Sequence, residues 1–116
     1  MTGSILFVIG DDPRINGRSA EAIRIAAGIC QWNKVEVSVY LRDAAVLILS
    51  ESREDLVDPD NYERYLPLLA KPDRPIYAQS GSSMLKQMER GPFAFKEISE
   101  IELAQLAANH SQVIRF

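Results

Sequence analysis

Three groups of polar residues stand directly after apolar segments of this sequence, and their side chains could bind a small polar or anionic ligand. The apolar segments are residues 5–9, 35–40 and 76–78, and each has the composition of a strand. Ligands of open parallel sheets bind outside the carboxyl ends of the strands, where loops and helix N-termini converge. We therefore predict one polar pocket, formed by Asp11, Asp12, Arg14, Asp43, Gln79, Ser80, Gly81 and Ser82.

Two of these groups also carry alternative interpretations. Residues 10–19 lie between a strand and a helix, as a phosphate-binding loop does, but six residues separate the glycines and Arg18 replaces the motif's lysine. Residues 80–83 can present backbone N–H groups to an anion, although capping of a helix by serine explains the same residues. A small anion- or nucleotide-binding domain therefore stays open as an alternative.

The pair Asp11 and Asp12 also resembles the metal-binding acidic pair of phospho-receiver domains. Such a domain needs a phosphoacceptor aspartate after its third strand and a lysine after its fifth strand. Asp55 and Asp58 follow no strand, and Lys96 fits the lysine position only loosely. The receiver interpretation is therefore a minor alternative, and we predict no resident metal or cofactor.

Composition excludes several other classes of site. The 116 residues include one cysteine and one histidine, which excludes an internal disulfide, a CxxC pair and a zinc site built from Cys and His of one chain. A formal net charge of −3 argues against a nucleic-acid partner. The apolar run at residues 5–9 is too short for a signal peptide or a membrane span, so we expect a cytoplasmic protein with no membrane contact.

The elements that must position the pocket alternate between strands and helices, which is typical of a parallel sheet covered by helices. We predict a single domain, residues 1–116, with a three-layer α/β/α architecture, a mainly parallel five-stranded sheet and about five helices. The predicted strands are residues 5–9, 35–40, 76–79, 93–98 and 112–116. The predicted helices are residues 16–32; 44–49, capped by Asp43; 59–69, broken in two at Pro67; 80–90, closed by Gly91; and 99–109, opened by a capping box of Ser99 and Glu102.

The lone cysteine falls on a predicted helix, and the lone histidine lies at the end of one. Cys30 continues the apolar stripe of the first helix, which predicts a buried, unreactive thiol. His110 follows a helix end, where we expect its ring to contact terminal carbonyl groups. Neither residue has the sequence context of a catalytic nucleophile or base.

The order of these segments resembles the DsrE/DsrF-like family. The resemblance covers the whole chain and rests on Gly10-Asp11-Asp12-Pro13-Arg14 after the first strand, the segment 35–47, and the ending Gln112-Val113-Ile114-Arg115-Phe116. It implies a cytoplasmic α/β protein that assembles as a homo-oligomer, a trimer or hexamer. It also implies a role in persulfide transfer between protein partners, with a sulfur-carrier protein as a partner.

The relay cysteine of that family stands directly after the third strand, at the start of the following helix. Gln79 occupies this position here, and glutamine carries no persulfide. The resemblance therefore leads us to expect a non-catalytic oligomeric or binding subunit. A sulfurtransferase acting through Cys30 is the alternative within the same family.

Overall fold

The computed structural model describes residues 3–116, and this part of the chain contains five strands, four α-helices and one 3-10 helix. The strands are β1 (Ser4–Ile9), β2 (Glu36–Leu41), β3 (Ile76–Gln79), β4 (Phe95–Ile98) and β5 (Gln112–Arg115). The helices are α1 (Arg18–Gln31), α2 (Pro59–Leu69), α3 (Ser83–Gln87) and α4 (Glu100–Ala108), and the 3-10 helix is Asp43–Leu49.

The strands form one sheet in the order β4-β3-β2-β1-β5, and all four neighbouring pairs are parallel. The central strand β1 pairs with β2 over six residues, from Ser4 opposite Glu36 to Ile9 opposite Leu41. A continuous apolar run suits this position because a central parallel strand is buried on both faces. The carboxyl ends of β1, β2 and β3 lie at the same edge, as the predicted pocket requires.

Helices cover both faces of the sheet, which confirms the predicted three-layer α/β/α architecture. Alternate residues of β1 divide between the faces: Phe7 and Ile9 pack with α1, α2 and the 3-10 helix, whereas Leu6 and Val8 pack toward α4. The first face holds most of the buried core, including residues from the predicted stripe of α1. The second face has a much smaller core, and no residue of α4 is buried.

The capping box at the start of α4 is confirmed. The backbone N–H of Glu102 donates to Ser99 Oγ at 3.1 Å, and the backbone N–H of Ser99 donates to Glu102 Oε1 at 2.9 Å. The hydrogen bond from the Ser99 backbone N–H lowers the pKa of the Glu102 carboxyl. Together the two hydrogen bonds satisfy two N–H groups that a helix start would otherwise leave unpaired.

The prediction of a helix over residues 80–90 is wrong in length, since α3 ends at Gln87. The chain beyond α3 pairs with the end of the 3-10 helix instead: Gly91 N–H donates to the Leu49 carbonyl, and Glu51 N–H donates to the Glu89 carbonyl, both at 2.9 Å. A Cβ on Gly91 would lie 3.0 Å from the carbonyl oxygens of Leu49 and Ser50. Gly91 therefore permits a close approach of two segments rather than closing a helix.

The predicted cap at Asp43 is also wrong. Arg42 occupies the cap position of the 3-10 helix, without a side-chain hydrogen bond, and Asp43 is the first helical residue with a φ of +52°. Arg42 N–H donates to the Ile9 carbonyl at 3.0 Å, which ties the end of β2 to the end of β1. The chain turns at Asp43 itself, because the preceding residue is still held by the sheet.

The expected break at Pro67 does not occur, and α2 is one helix from Pro59 to Leu69. Pro67 is exposed and lies two residues before the end of α2. Its missing N–H therefore affects the helix only close to its end. Tyr62, Leu66 and Leu69 are buried along one side of α2 and hold the helix against the core. Tertiary packing therefore overrides the local preference of proline.

We expect Pro67→Ala to raise the free energy of unfolding by about 1 kcal/mol, because alanine restores a backbone donor inside the helix at an exposed position. Urea denaturation of both proteins measures the change. Pro59→Ala is the matched control, because Pro59 lies at the helix start, where an N–H has no partner within the helix. Equal stability of the wild type and Pro67→Ala would contradict this account.

No helix within residues 3–116 is long and apolar enough to cross a membrane.

Candidate functional site

A cavity of about 310 Å³ lies at the carboxyl edge of the sheet, between the start of the 3-10 helix and the segment that joins β3 to α3. Five of the eight predicted pocket residues line it. They are Asp43, Gln79, Ser80, Gly81 and Ser82, and Ala44, Ser83 and Met84 complete the wall. The strand ends thus bring together two of the three polar groups that the sequence places after strands.

Gln79 is the last residue of β3 and joins the two sides of the cavity. Its side-chain Oε1 accepts a hydrogen bond from the backbone N–H of Asp43 at 2.8 Å. Asp43 has a left-handed backbone, which costs about 1 kcal/mol or more for a residue other than glycine, so this bond helps to hold an unfavourable conformation. The Asp43 carboxylate is exposed, and its Oδ2 lies 3.7 Å from Arg42 Nε.

The segment after Gln79 turns sharply into α3. Ser80 N–H donates to the Ile98 carbonyl at 3.0 Å, and Ser82 caps the helix by accepting from Leu85 N–H at 3.2 Å. Gly81 has a φ of +79°, a conformation that favours glycine. Hydroxyl groups, backbone N–H groups and one carboxylate therefore surround the Gln79 carboxamide, a mixture suited to a small polar ligand or a peptide backbone.

The first predicted group, Asp11, Asp12 and Arg14, does not line this cavity. Arg14 donates to both Asp12 oxygens, from Nε at 3.0 Å and from Nη2 at 2.7 Å, and Asp11 forms an ion pair with Arg18 at 2.6 Å. The Arg14 hydrogen bond lowers the pKa of the Asp12 carboxyl, and the same contact raises the pKa of Arg14. These side chains neutralise one another between the loop after β1 and the start of α1, so they shape that connection rather than the cavity.

Cys30 lies far from the cavity along the sheet. It stands in the last turn of α1, where its Sγ accepts from Arg74 Nη2 at 3.1 Å and lies 3.8 Å from the Leu68 carbonyl oxygen. Arg74 precedes β3, whereas Gln79 ends it, so the two sites lie at opposite ends of that strand. The thiol is partly buried, not fully buried as predicted, and it packs against the main core.

His110 has the predicted contact with a helix end. Its Nδ1 lies 2.6 Å from the Leu106 carbonyl oxygen, and its Nε2 lies 3.1 Å from Ser38 Oγ. The ring therefore joins the end of α4 to β2 and contributes nothing to the cavity. Neither cysteine nor histidine is among the residues that line the cavity.

The sequence did not single out Ala44 and Met84 as pocket residues. Both line the cavity because they follow predicted site residues by one or two positions on short helices. Neither carries a polar group that would signal a site. Within residues 3–116 no three His, Cys, Asp or Glu side chains lie close enough to hold a metal ion.

The fold and this cavity define a class: three-layer α/β/α domains with an all-parallel five-stranded sheet and a polar cavity at its carboxyl edge. The ychN protein from E. coli, whose crystal structure is known, has the same fold with a TM-score of 0.80 over the whole of both chains. Sequence identity is 17%, so the likeness is one of fold alone. No family model and no curated protein matches this sequence.

Proposed function

We propose that this chain is a non-catalytic binding subunit related to cytoplasmic proteins of persulfide relay, and that it works as a homo-oligomer. The sequence resemblance to the DsrE/DsrF-like family supports this proposal, as does the fold shared with the ychN protein. The observation that carries it is the place of Gln79, which ends β3 and lines the cavity where that family has its relay cysteine.

Persulfide transfer needs a thiolate at this position. The thiolate attacks the outer sulfur of a donor persulfide, a new S–S bond forms, and the donor leaves as its own thiolate. A carboxamide has no such nucleophile, and the Oε1 of Gln79 already accepts a hydrogen bond from Asp43 N–H. The chain therefore keeps the cavity of a relay protein without the group that carries sulfur.

The same carboxamide is suited to binding. Its Nε2 provides two N–H donors, and the neighbouring Ser80 and Asp43 provide a hydroxyl group and a carboxylate at the cavity wall. A peptide segment presents both carbonyl acceptors and N–H donors, so this set matches a loop of a partner protein. We propose that a sulfur-carrier protein supplies that segment.

We expect the wild-type protein to gain no sulfur from a small persulfide donor faster than free cysteine does. The only thiol is Cys30, which is partly buried and packs against the main core, away from the cavity. Mass spectrometry of the intact protein measures the gain, and Cys30→Ser is the control for reaction at other side chains. Rapid formation of a persulfide at Cys30 would contradict the proposal and support the sulfurtransferase alternative.

A further inference from the structure

A second cavity, of about 340 Å³, lies at the amino edge of the sheet, at the opposite end of β3 from Gln79. It is bordered by the start of β2, the segment before β3 and the end of α4. The residues that line it are all polar, and they include Ser38, Arg74 and the chain's one histidine, His110. A hydroxyl group, a guanidinium and an imidazole therefore share one cavity.

Ser38 and His110 lie 72 residues apart in the sequence but within hydrogen-bond distance in the fold. Ser38 Oγ lies 3.1 Å from His110 Nε2, and His110 Nδ1 lies 2.6 Å from the Leu106 carbonyl oxygen. A carbonyl oxygen can only accept a hydrogen bond, so Nδ1 carries the proton of the neutral ring. Nε2 is then free to accept the hydrogen bond that the Ser38 hydroxyl donates.

This arrangement has the parts of an activated serine nucleophile. The Ser38 hydroxyl is the nucleophile and His110 Nε2 is the base that takes its proton. The Leu106 carbonyl fixes the tautomer and the orientation of the ring, as a carboxylate does in the serine hydrolases. Ser38 and His110 are both half-buried at the cavity wall, so a small molecule in the cavity can approach the hydroxyl.

The charges on the cavity wall indicate which electrophile fits. One nitrogen of Arg74 donates to Cys30 Sγ, and Arg74 forms no ion pair with any other residue of the range 3–116. Its charge can therefore stabilise the oxyanion that develops when a carbonyl group is attacked. Glu36 and Asp73 line the same cavity, and their carboxylates disfavour a substrate of negative charge. The wall thus fits a small ester that carries no negative charge.

We propose that Ser38 and His110 form a nucleophile–base pair that hydrolyses small esters without a negative charge. Ser38 Oγ attacks the carbonyl carbon while His110 Nε2 takes the hydroxyl proton, and Nε2 gives that proton to the leaving alkoxide as the C–O bond breaks. Water then attacks the acyl-serine in the same way, so the net reaction converts an ester and water into an acid and an alcohol. This activity lies at the other edge of the sheet from position 79 and does not depend on the proposed partner protein.

Two reagents test the pair, diisopropyl fluorophosphate and p-nitrophenyl acetate. With the first reagent, Ser38 Oγ forms a bond to phosphorus, fluoride leaves, and peptide mass spectrometry locates the stable adduct. Ser52 and Ser80 are the internal controls, because both are exposed and the one histidine of the chain contacts Ser38 instead. We expect the adduct to form on Ser38 at least about tenfold faster than on either control serine.

Three variants separate the chemistry from the structure. His110→Gln keeps an amide that can contact Ser38 and the Leu106 carbonyl, but it has no basic nitrogen. We expect His110→Gln and Ser38→Ala each to slow hydrolysis of p-nitrophenyl acetate at least about tenfold, and Ser52→Ala to keep the wild-type rate. Far-ultraviolet circular dichroism confirms that each variant is folded. If His110→Gln unfolds, the comparison of serines in the wild type and the Ser38→Ala variant decide the question.

Two results would overturn the proposal. One is labelling of Ser38 no faster than that of Ser52 and Ser80, and the other is unchanged hydrolysis in folded Ser38→Ala. Either result would leave the hydrogen bond between Ser38 and His110 as a structural connection of α4 to β2. Neither result bears on sulfur transfer at position 79, which has its own assay.

Discussion

The variant Gln79→Cys is expected to take up one sulfur atom from a small persulfide donor at least about threefold faster than a variant whose added thiol stands elsewhere. Position 79 lies at the wall of a cavity, directly before the turn into α3. Backbone N–H groups at the start of a helix have no partner within the helix and stabilise a nearby anion. A thiolate there is therefore more abundant at neutral pH than a thiolate on an open strand.

The matched control is Gln112→Cys, because Gln112 is an exposed glutamine at the start of β5 with no helix start beside it. Both variants carry Cys30→Ser, so that each has one thiol. In either protein the introduced thiolate attacks the donor's outer sulfur and releases the donor thiolate, and mass spectrometry over time follows the gain. Equal rates in the two variants would show that the cavity has no special suitability for sulfur.

Arg53→Ala is expected to lower the free energy of unfolding by about 2 kcal/mol. Arg53 is 4% exposed and holds the segment after the 3-10 helix in place. Its Nη1 donates to the Ser50 carbonyl at 2.7 Å, its Nη2 donates to Glu63 at 2.5 Å, and its guanidinium lies 5.3 Å from the centre of the Phe93 ring. Removal of the side chain leaves a buried carbonyl without a partner and opens space beneath the ring.

The control for this prediction is Arg24→Ala, which removes an arginine whose ion pair with Glu21 is exposed on α1. Exposed ion pairs on a helix contribute little to stability, so we expect this variant to lose less than about 0.5 kcal/mol of the free energy of unfolding. Urea denaturation of both variants measures the difference. Similar losses of stability in the two variants would contradict the view that the burial of Arg53 makes its removal costly.

Most of the fold could be predicted from periodicity and helix signals. The five strands, the stripe of α1 and the capping box at Ser99 are local patterns whose physics is contained in a few neighbouring residues. The incorrect predictions of a helix break at Pro67 and a helix end at Gly91 share a cause, which is contact with distant parts of the chain. Packing against the core keeps α2 intact through Pro67, and pairing with the 3-10 helix ends α3 early.

The candidate site could be predicted only in part. Strand order places Gln79 and Asp43 beside each other, because Gln79 ends β3 and Asp43 follows the neighbouring parallel strand β2. The hydrogen bond between them, and the left-handed backbone of Asp43, are tertiary details that no spacing reveals. The prediction that Asp11, Asp12 and Arg14 line the pocket is wrong for a local reason. Arg14 pairs with Asp12, and Asp11 pairs with Arg18 at the start of α1, so these charges are already balanced outside the cavity.

The most direct measurement of the central claim treats the wild type and Gln79→Cys with the same persulfide donor and locates the added sulfur by peptide mass spectrometry. We predict sulfur on the peptide that contains position 79 in the variant, and none above the free-cysteine rate in the wild type. Rapid sulfur uptake at Cys30 of the wild type, or no uptake at position 79 of the variant, would contradict the proposal that the cavity is that of a relay protein and lacks only the nucleophile.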